Sequence, residues 1–160
     1  MQFVVLFVVC LAICALVGFV LALPETRRGQ AETFIAAAPH RVIATIKDVA
    51  AQPQWRKSVA TITLTADGWR ETTRGGEIIA FQWTRLDPDH LELAFTSAAG
   101  YAGTGSARLR NEAGSTHVLV VEEARLPNPI TRLLAHLFFD PEAFARNYLT
   151  DLKLRVEAGS

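Results

Sequence analysis

The side chains best suited to chemistry in this chain are few and far apart in sequence: Trp83, Tyr101, His117, Glu122, His136 and Tyr148. Each puts a polar tip on or beside an apolar run, which is what a pocket for an apolar ligand needs: greasy walls with a few placed polar groups. Their spacing does not form a catalytic set. No GxSxG nucleophile elbow is present, and the run from Gly100 to Gly105 lacks both GxGxxG spacing and a following helix. Glu122 and Glu123 are neighbours on an expected strand and point to opposite faces. They cannot work as a carboxylate pair, although one of them inside a cavity would have a raised pKa. His40, His90, His117 and His136 form no HxH or HxxxH pair. The expectation is therefore no catalytic residue, no metal site and no cofactor.

Composition narrows the classes further. Lysine plus arginine number 16 and aspartate plus glutamate number 16, so the formal charge is zero. A nucleic-acid binder normally shows a basic face, and none is expected here. The only cysteines, Cys10 and Cys14, lie in the first apolar run, which leaves the remainder without a disulfide framework or a thiolate site.

The elements that must position these groups begin with an uncharged stretch, residues 3–23. As a helix of that length it would rise about 31 Å, enough to cross the hydrocarbon core of a bilayer. Two readings fit. One is an uncleaved single-pass anchor in the cell membrane. The other is a secretory signal cut near Val20-Leu21-Ala22, which would leave the rest secreted or periplasmic. The missing basic n-region and the length of the apolar run favour the anchor. Arg27 and Arg28 follow the span and no lysine or arginine precedes it, which places the C-terminal domain in the cytoplasm. Residues 24–30 read as a linker whose reach, about 20 Å, keeps the domain at the membrane surface.

Residues 31–38 read as a strand, and Pro39 opens a helix that Pro53 ends. Six short strand segments follow, separated by turn signals such as Asp67-Gly68, Gly75-Gly76 and Asp87-Pro88-Asp89; four carry clear alternation, and the one from Trp69 to Arg74 is short and polar. Turns this short require antiparallel neighbours. In the last segment the phase is open, because Val118/Val120 and Leu119/Val121 are equally apolar. From Asn128 onward the apolar spacing is helical, with a break at Asp140-Pro141-Glu142, an N-cap followed by a first-turn proline. Two helical pieces are expected, 130–139 and 141–157. Their stripe includes Ile130, Leu133, Leu134, Leu137 and Phe138 on the first piece, and Phe144, Tyr148, Leu149, Leu152 and Val156 on the second. A stripe of this kind needs an apolar partner, and a sheet is what the chain offers.

The stretch AETFIAAAPHRVIATIKDVAAQPQW resembles the opening of the START-like superfamily, also called SRPBCC, and especially its polyketide cyclase/dehydrase-type members. The closing LPNPITRLLAHLF and FARNYLTDLKLRVEA are similar to that family's final helix. The resemblance covers 31–158 and excludes the anchor. It implies an α+β helix-grip fold, a curved antiparallel sheet wrapped around a long C-terminal helix with a cavity between them, here preceded by one transmembrane helix. It also implies an apolar ligand, since family members bind lipids, sterols and polyketides.

On this reading the cavity would be lined by Phe81, Trp83, Phe95, Tyr101, His117, Phe144, Tyr148 and Leu152. Large inward residues on two strands oppose Gly103, Gly105 and Ala107 on the next, which would leave a gap beneath the helix. The alternative is that helix side chains fill that gap as an ordinary core. The leading functional expectation is a membrane-anchored binding module for a hydrophobic small molecule or lipid. The rivals are a cyclase/aromatase-like enzyme and a membrane-associated interaction or assembly factor without a ligand.

Overall fold

Alternating apolar residues become strands here because a curved sheet can bury one face of each against helices. The computed structural model describes residues 1–159. The elements run α1 (Gln2–Ala22), β1 (Thr26–Ile35), α2 (Pro39–Lys47), a 3-10 segment (Val49–Gln54), β2 (Val59–Leu64), β3 (Trp69–Thr73), β4 (Ile78–Leu86), β5 (His90–Ser97), β6 (Ala102–Glu112), β7 (Ser115–Arg125), α3 (Pro129–Phe138) and α4 (Pro141–Ala158). The seven strands form one sheet in the order β1-β7-β6-β5-β4-β3-β2. Every pairing is antiparallel, from Thr26 opposite Arg125 at one edge to Leu64 opposite Trp69 at the other. The sheet is open, with α4 against its concave face: an α+β helix-grip fold, as the sequence implies.

The core lies where α4, α2 and the β1–β7–β6 half of the sheet converge. Ile35, Val42, Val118 and Leu152 are fully excluded from solvent there, with Ile46 and Val156 almost so. The phase of β7 is thereby decided. Val118 faces the core, so the period of two sends Thr116, Val120 and Glu122 the same way and His117 to the opposite face.

Three local expectations are corrected. First, β1 starts at Thr26, so most of the stretch expected as a linker is strand. Its polar TRRGQ run pairs with β7, and Gly29 is required there because α4 begins directly against it: a Cβ at Gly29 would sit 2.3 Å from the Pro141 backbone. Second, the helix from Pro39 ends at Lys47 and resumes as the 3-10 turn. The buried Gln52 side chain donates to the Ile46 carbonyl, satisfying an acceptor that the α-helix has left open. Third, a bulge between Val59 and Thr61 shifts β2, so Val59, rather than Ala60, shares the inward face with Ile62.

The two C-terminal helices start where their caps predict. Asn128 Oδ1 accepts from the Ile130 and Thr131 amides, and Asp140 Oδ1 from those of Glu142 and Ala143. The apolar stripe of α3, however, does not turn inward. Ile130, Leu134, Leu137 and Phe138 are all at least half exposed, while Arg132 of the same helix is buried.

Candidate functional site

Between the concave face and the helices lies a cavity of about 660 Å³, within the size range of small-ligand pockets. A chamber of about 90 Å³ continues from it toward Ile46, Leu91, Ala107 and Tyr148. The two spaces share Arg56, Glu71, Phe81, Glu122 and Phe144. The larger one is also lined by the β3–β4 turn at Gly75 and Gly76, the β5–β6 turn at Ala98 and Ala99, and Leu134, Ala135 and Phe139 from α3 and the residue after it.

A row of aromatic rings runs along the wall. Trp69 stacks on Phe81 with centroids 5.3 Å apart, and the contacts run on from Phe81 to Phe95 and from Phe95 to Tyr101. Trp83 extends the row on the other side of Trp69, toward the small chamber. The glycines of β6 do not simply leave space beneath the helix. A Cβ at Gly103 would overlap the Phe95 ring, and one at Gly105 would press on Leu93. Their missing side chains make room for those of the adjacent strand, so the cavity opens farther along, under Phe144.

A charged cluster sits where the two spaces join. Arg56 Nη1 donates to Glu71 Oε1 at 2.6 Å and to Gln52 Oε1 at 2.7 Å, and Trp69 Nε1 donates to the same Glu71 oxygen. The Arg56 guanidinium also lies over the Tyr148 ring, 5.4 Å from its centroid. Glu71 is 3% exposed at its side chain, so its charge depends on these partners. Glu122 is enclosed by protein but faces both spaces. Burial pushes its carboxyl up to about 7, with Arg56 opposing the rise and Glu71 adding to it. Burial likewise pushes the Tyr148 hydroxyl up to about 12. At the β5–β6 turn Ser97 Oγ donates to Glu77 Oε1, and burial, then Glu77, holds the Tyr101 hydroxyl above the ordinary phenol range. The arrangement can offer an apolar guest one carboxyl that both donates and accepts near neutral pH, plus a fixed cation and two phenols that stay protonated.

The residues singled out from sequence divide accordingly. Phe81, Trp83, Phe95, Tyr101, Phe144 and Tyr148 come together on these walls. His117 does not: it lies on the outer face, with Nε2 3.2 Å from Glu32 Oε2 and its ring against Phe34. Leu152 is fully buried in the core beyond the cavity, because α4 is longer than the space it covers. His136 meets the Phe19 ring of α1 at 6.5 Å, outside the cavity. The sequence reading missed Arg56 and Glu71. The available signal was Glu71 itself, in phase with Trp69 on the buried face of a strand taken as merely polar.

No protein-family model matches the chain, and no curated protein matches its sequence. Solved structures do. The chain is similar to the Zhui aromatase/cyclase from Streptomyces sp. R1128, with TM-score 0.67, 13% identity and coverage of 82% of this chain and 94% of that one. It is similar to a START superfamily protein from Mycobacterium smegmatis, with TM-score 0.63, 14% identity and coverage of 83% and 99%. It is also similar to a protein from Thermus thermophilus, with TM-score 0.61, 25% identity and coverage of 84% and 99%. The fold that carries this cavity is START/SRPBCC-like, preceded by an N-terminal apolar helix.

Proposed function

We propose that the protein is a membrane-anchored binding module that holds a hydrophobic small molecule or lipid between the sheet and α4. The observation that carries this reading is the 660 Å³ cavity, whose wall is mainly apolar with a row of aromatic rings. The anchor is α1, 21 residues long and uncharged, with no residue buried by the rest of the chain. Contact between Phe19 and His136, and the Arg132 bond to the Leu23 carbonyl, tie α1 to the domain and favour its retention over removal as a signal. The exposed Arg28 beside the span favours a cytoplasmic domain.

The test is native mass spectrometry of the full chain released from nanodiscs, with organic extraction of whatever co-purifies. A stoichiometric apolar adduct, lost on the cavity-filling substitution Ala124→Phe, is the expected result. Protein that stays empty against a lipid panel overturns the reading. Truncation at Ala31 is unsuitable for this test, because it removes half of β1.

Glu122 favours a second reading, a cyclase-type enzyme. A carboxyl that titrates at about 7 beside Arg56 can move a proton to or from a carbonyl-bearing guest. Ring closure of a β-oligoketone by the full chain, abolished in Glu122→Gln, would establish it. Unchanged substrate would exclude it.

A further inference from the structure

The helix α3 is built inside out. On a helix of a water-soluble protein the apolar stripe faces the core and the charges face water. Here Ile130 is 69% exposed, Leu134 51%, Leu137 61% and Phe138 80%, at helical spacing along one side. On the other side Arg132 is buried and donates to the carbonyls of Leu126, Leu23 and Pro127 and to Glu25 Oε1. Arg27 donates to the Ala135 carbonyl near the C-terminal end of the helix. The outward stripe carries no charge. A continuous patch of this kind calls for an apolar surface to cover it.

We infer that α3 lies in the bilayer interface, its outward stripe set among phospholipid acyl chains, so that the part of the cavity lined by α3 faces the membrane and not water. The inference rests on the reading of α1 as a membrane span. Three observations support lipid as the occupant. The helix packs beside α1, whose surface is open and apolar. Depth agrees: α3 meets α1 at Phe19, three residues before Ala22, which lies about 5 Å inside the end of the span and at the depth to which interfacial helices sink. Finally, Arg132 fixes α3 to the residue that follows α1, so the two helices must approach the bilayer together. Leu134 and Phe139, which share this region, also line the cavity. A guest leaving the acyl-chain region would meet them first.

The test uses the full chain carrying Cys10→Ala and Cys14→Ala, reconstituted in phosphatidylcholine vesicles, with a bimane label on one introduced cysteine. Val9→Cys reports α1, Leu137→Cys reports α3, and Leu64→Cys on edge strand β2 reports the domain surface away from α3. Expected are loss of most Val9 fluorescence to lipid brominated near the chain end, loss of most Leu137 fluorescence to lipid brominated near the carbonyl, and quenching of Leu64 by aqueous iodide alone. If Val9 escapes bromolipid, the span reading fails and this inference falls with it. If Val9 is quenched by lipid and Leu137 by iodide, the span stands and the docking of α3 is overturned. Leu137 shielded from both quenchers means that protein covers the stripe, which also overturns it. None of these outcomes depends on whether the cavity holds a guest. Circular dichroism matching the parent chain shows that each labelled variant is folded, and all three sites are exposed enough to accept the label.

Discussion

The two halves of α4 face the same sheet and do different work. From its midpoint onward Leu149, Leu152 and Val156 are 3% exposed or less and interlock with Ile35, Val42 and Val118. In its N-terminal half Phe144 and Tyr148 look into open space. What differs is the surroundings. The C-terminal half has α2 closing its flank. The N-terminal half is flanked by Trp55 and Arg56 at Tyr148, and α3, which precedes it in the chain, turns its apolar side away. Protein interiors are close-packed, so leaving one stretch of a helix–sheet interface unfilled requires the other stretch to hold the fold. The cavity is thus an unpacked part of an otherwise ordinary interface, with a polar cluster at its inner boundary.

This contrast can be broken or sharpened by substitution. Leu152→Ala should have the largest effect, about 4 kcal/mol of stability, because it opens a void where nothing can collapse. Denaturant unfolding of the full chain in detergent would measure it. A cost below about 1 kcal/mol would contradict the division of labour along α4. Next comes Arg56→Met, which strands Glu71 and should cost about 3 kcal/mol. Adding Glu71→Met should recover most of that loss. A double variant no better than the single one would show that the pair does not act as a unit.

Glu122 supplies a pH test. Its folded pKa, about 7, lies above its ordinary value of 4.5. The folded state therefore holds the proton more tightly, so the associated stability is present in full below 4.5 and disappears as pH rises through 7. Arg56, Glu71, Tyr148 and Tyr101 are charged or titratable groups that interact with it. Comparing unfolding of the parent chain with Glu122→Gln should show a difference on the order of 2 kcal/mol between those pH limits. Parallel profiles would mean that Glu122 is as well solvated as an exposed carboxyl. The smallest effect belongs to Phe144→Ala, about 1 kcal/mol, since this ring borders a space that is already open. Its loss should show in guest retention on native mass spectrometry more than in unfolding. A cost like that of Leu152→Ala would mean that the N-terminal half of α4 is packed core as well.

The strands of the sheet's middle were legible because β4, β5 and β6 each bury one face, and burial on one side writes a period of two into the sequence. The break at Asp140-Pro141 was legible for a similar reason: capping is a local affair, decided by side chains within three residues. The start of β1 was not. Its first residues are polar, and they become strand through a long ladder to β7, a partner about 90 residues away. His117 could not be placed because both faces of β7 are apolar, and only packing of Val118 against the core separates them.

The sequence alone determined the element types, the antiparallel order of short-turned strands, the helix caps and an apolar segment long enough to span a bilayer. All of these depend on residues near one another in the chain. Tertiary structure decided which way an ambiguous stripe faces and what gathers around it. Arg56, Glu71 and Glu122 come from three separate regions and meet only when the sheet curves. The α3 stripe has the spacing of a core helix, and its outward orientation follows from Arg132, whose four acceptors lie in residues 23–25 and 126–127. Periodicity records that a helix has an apolar side. Which surface covers that side depends on contacts across the fold.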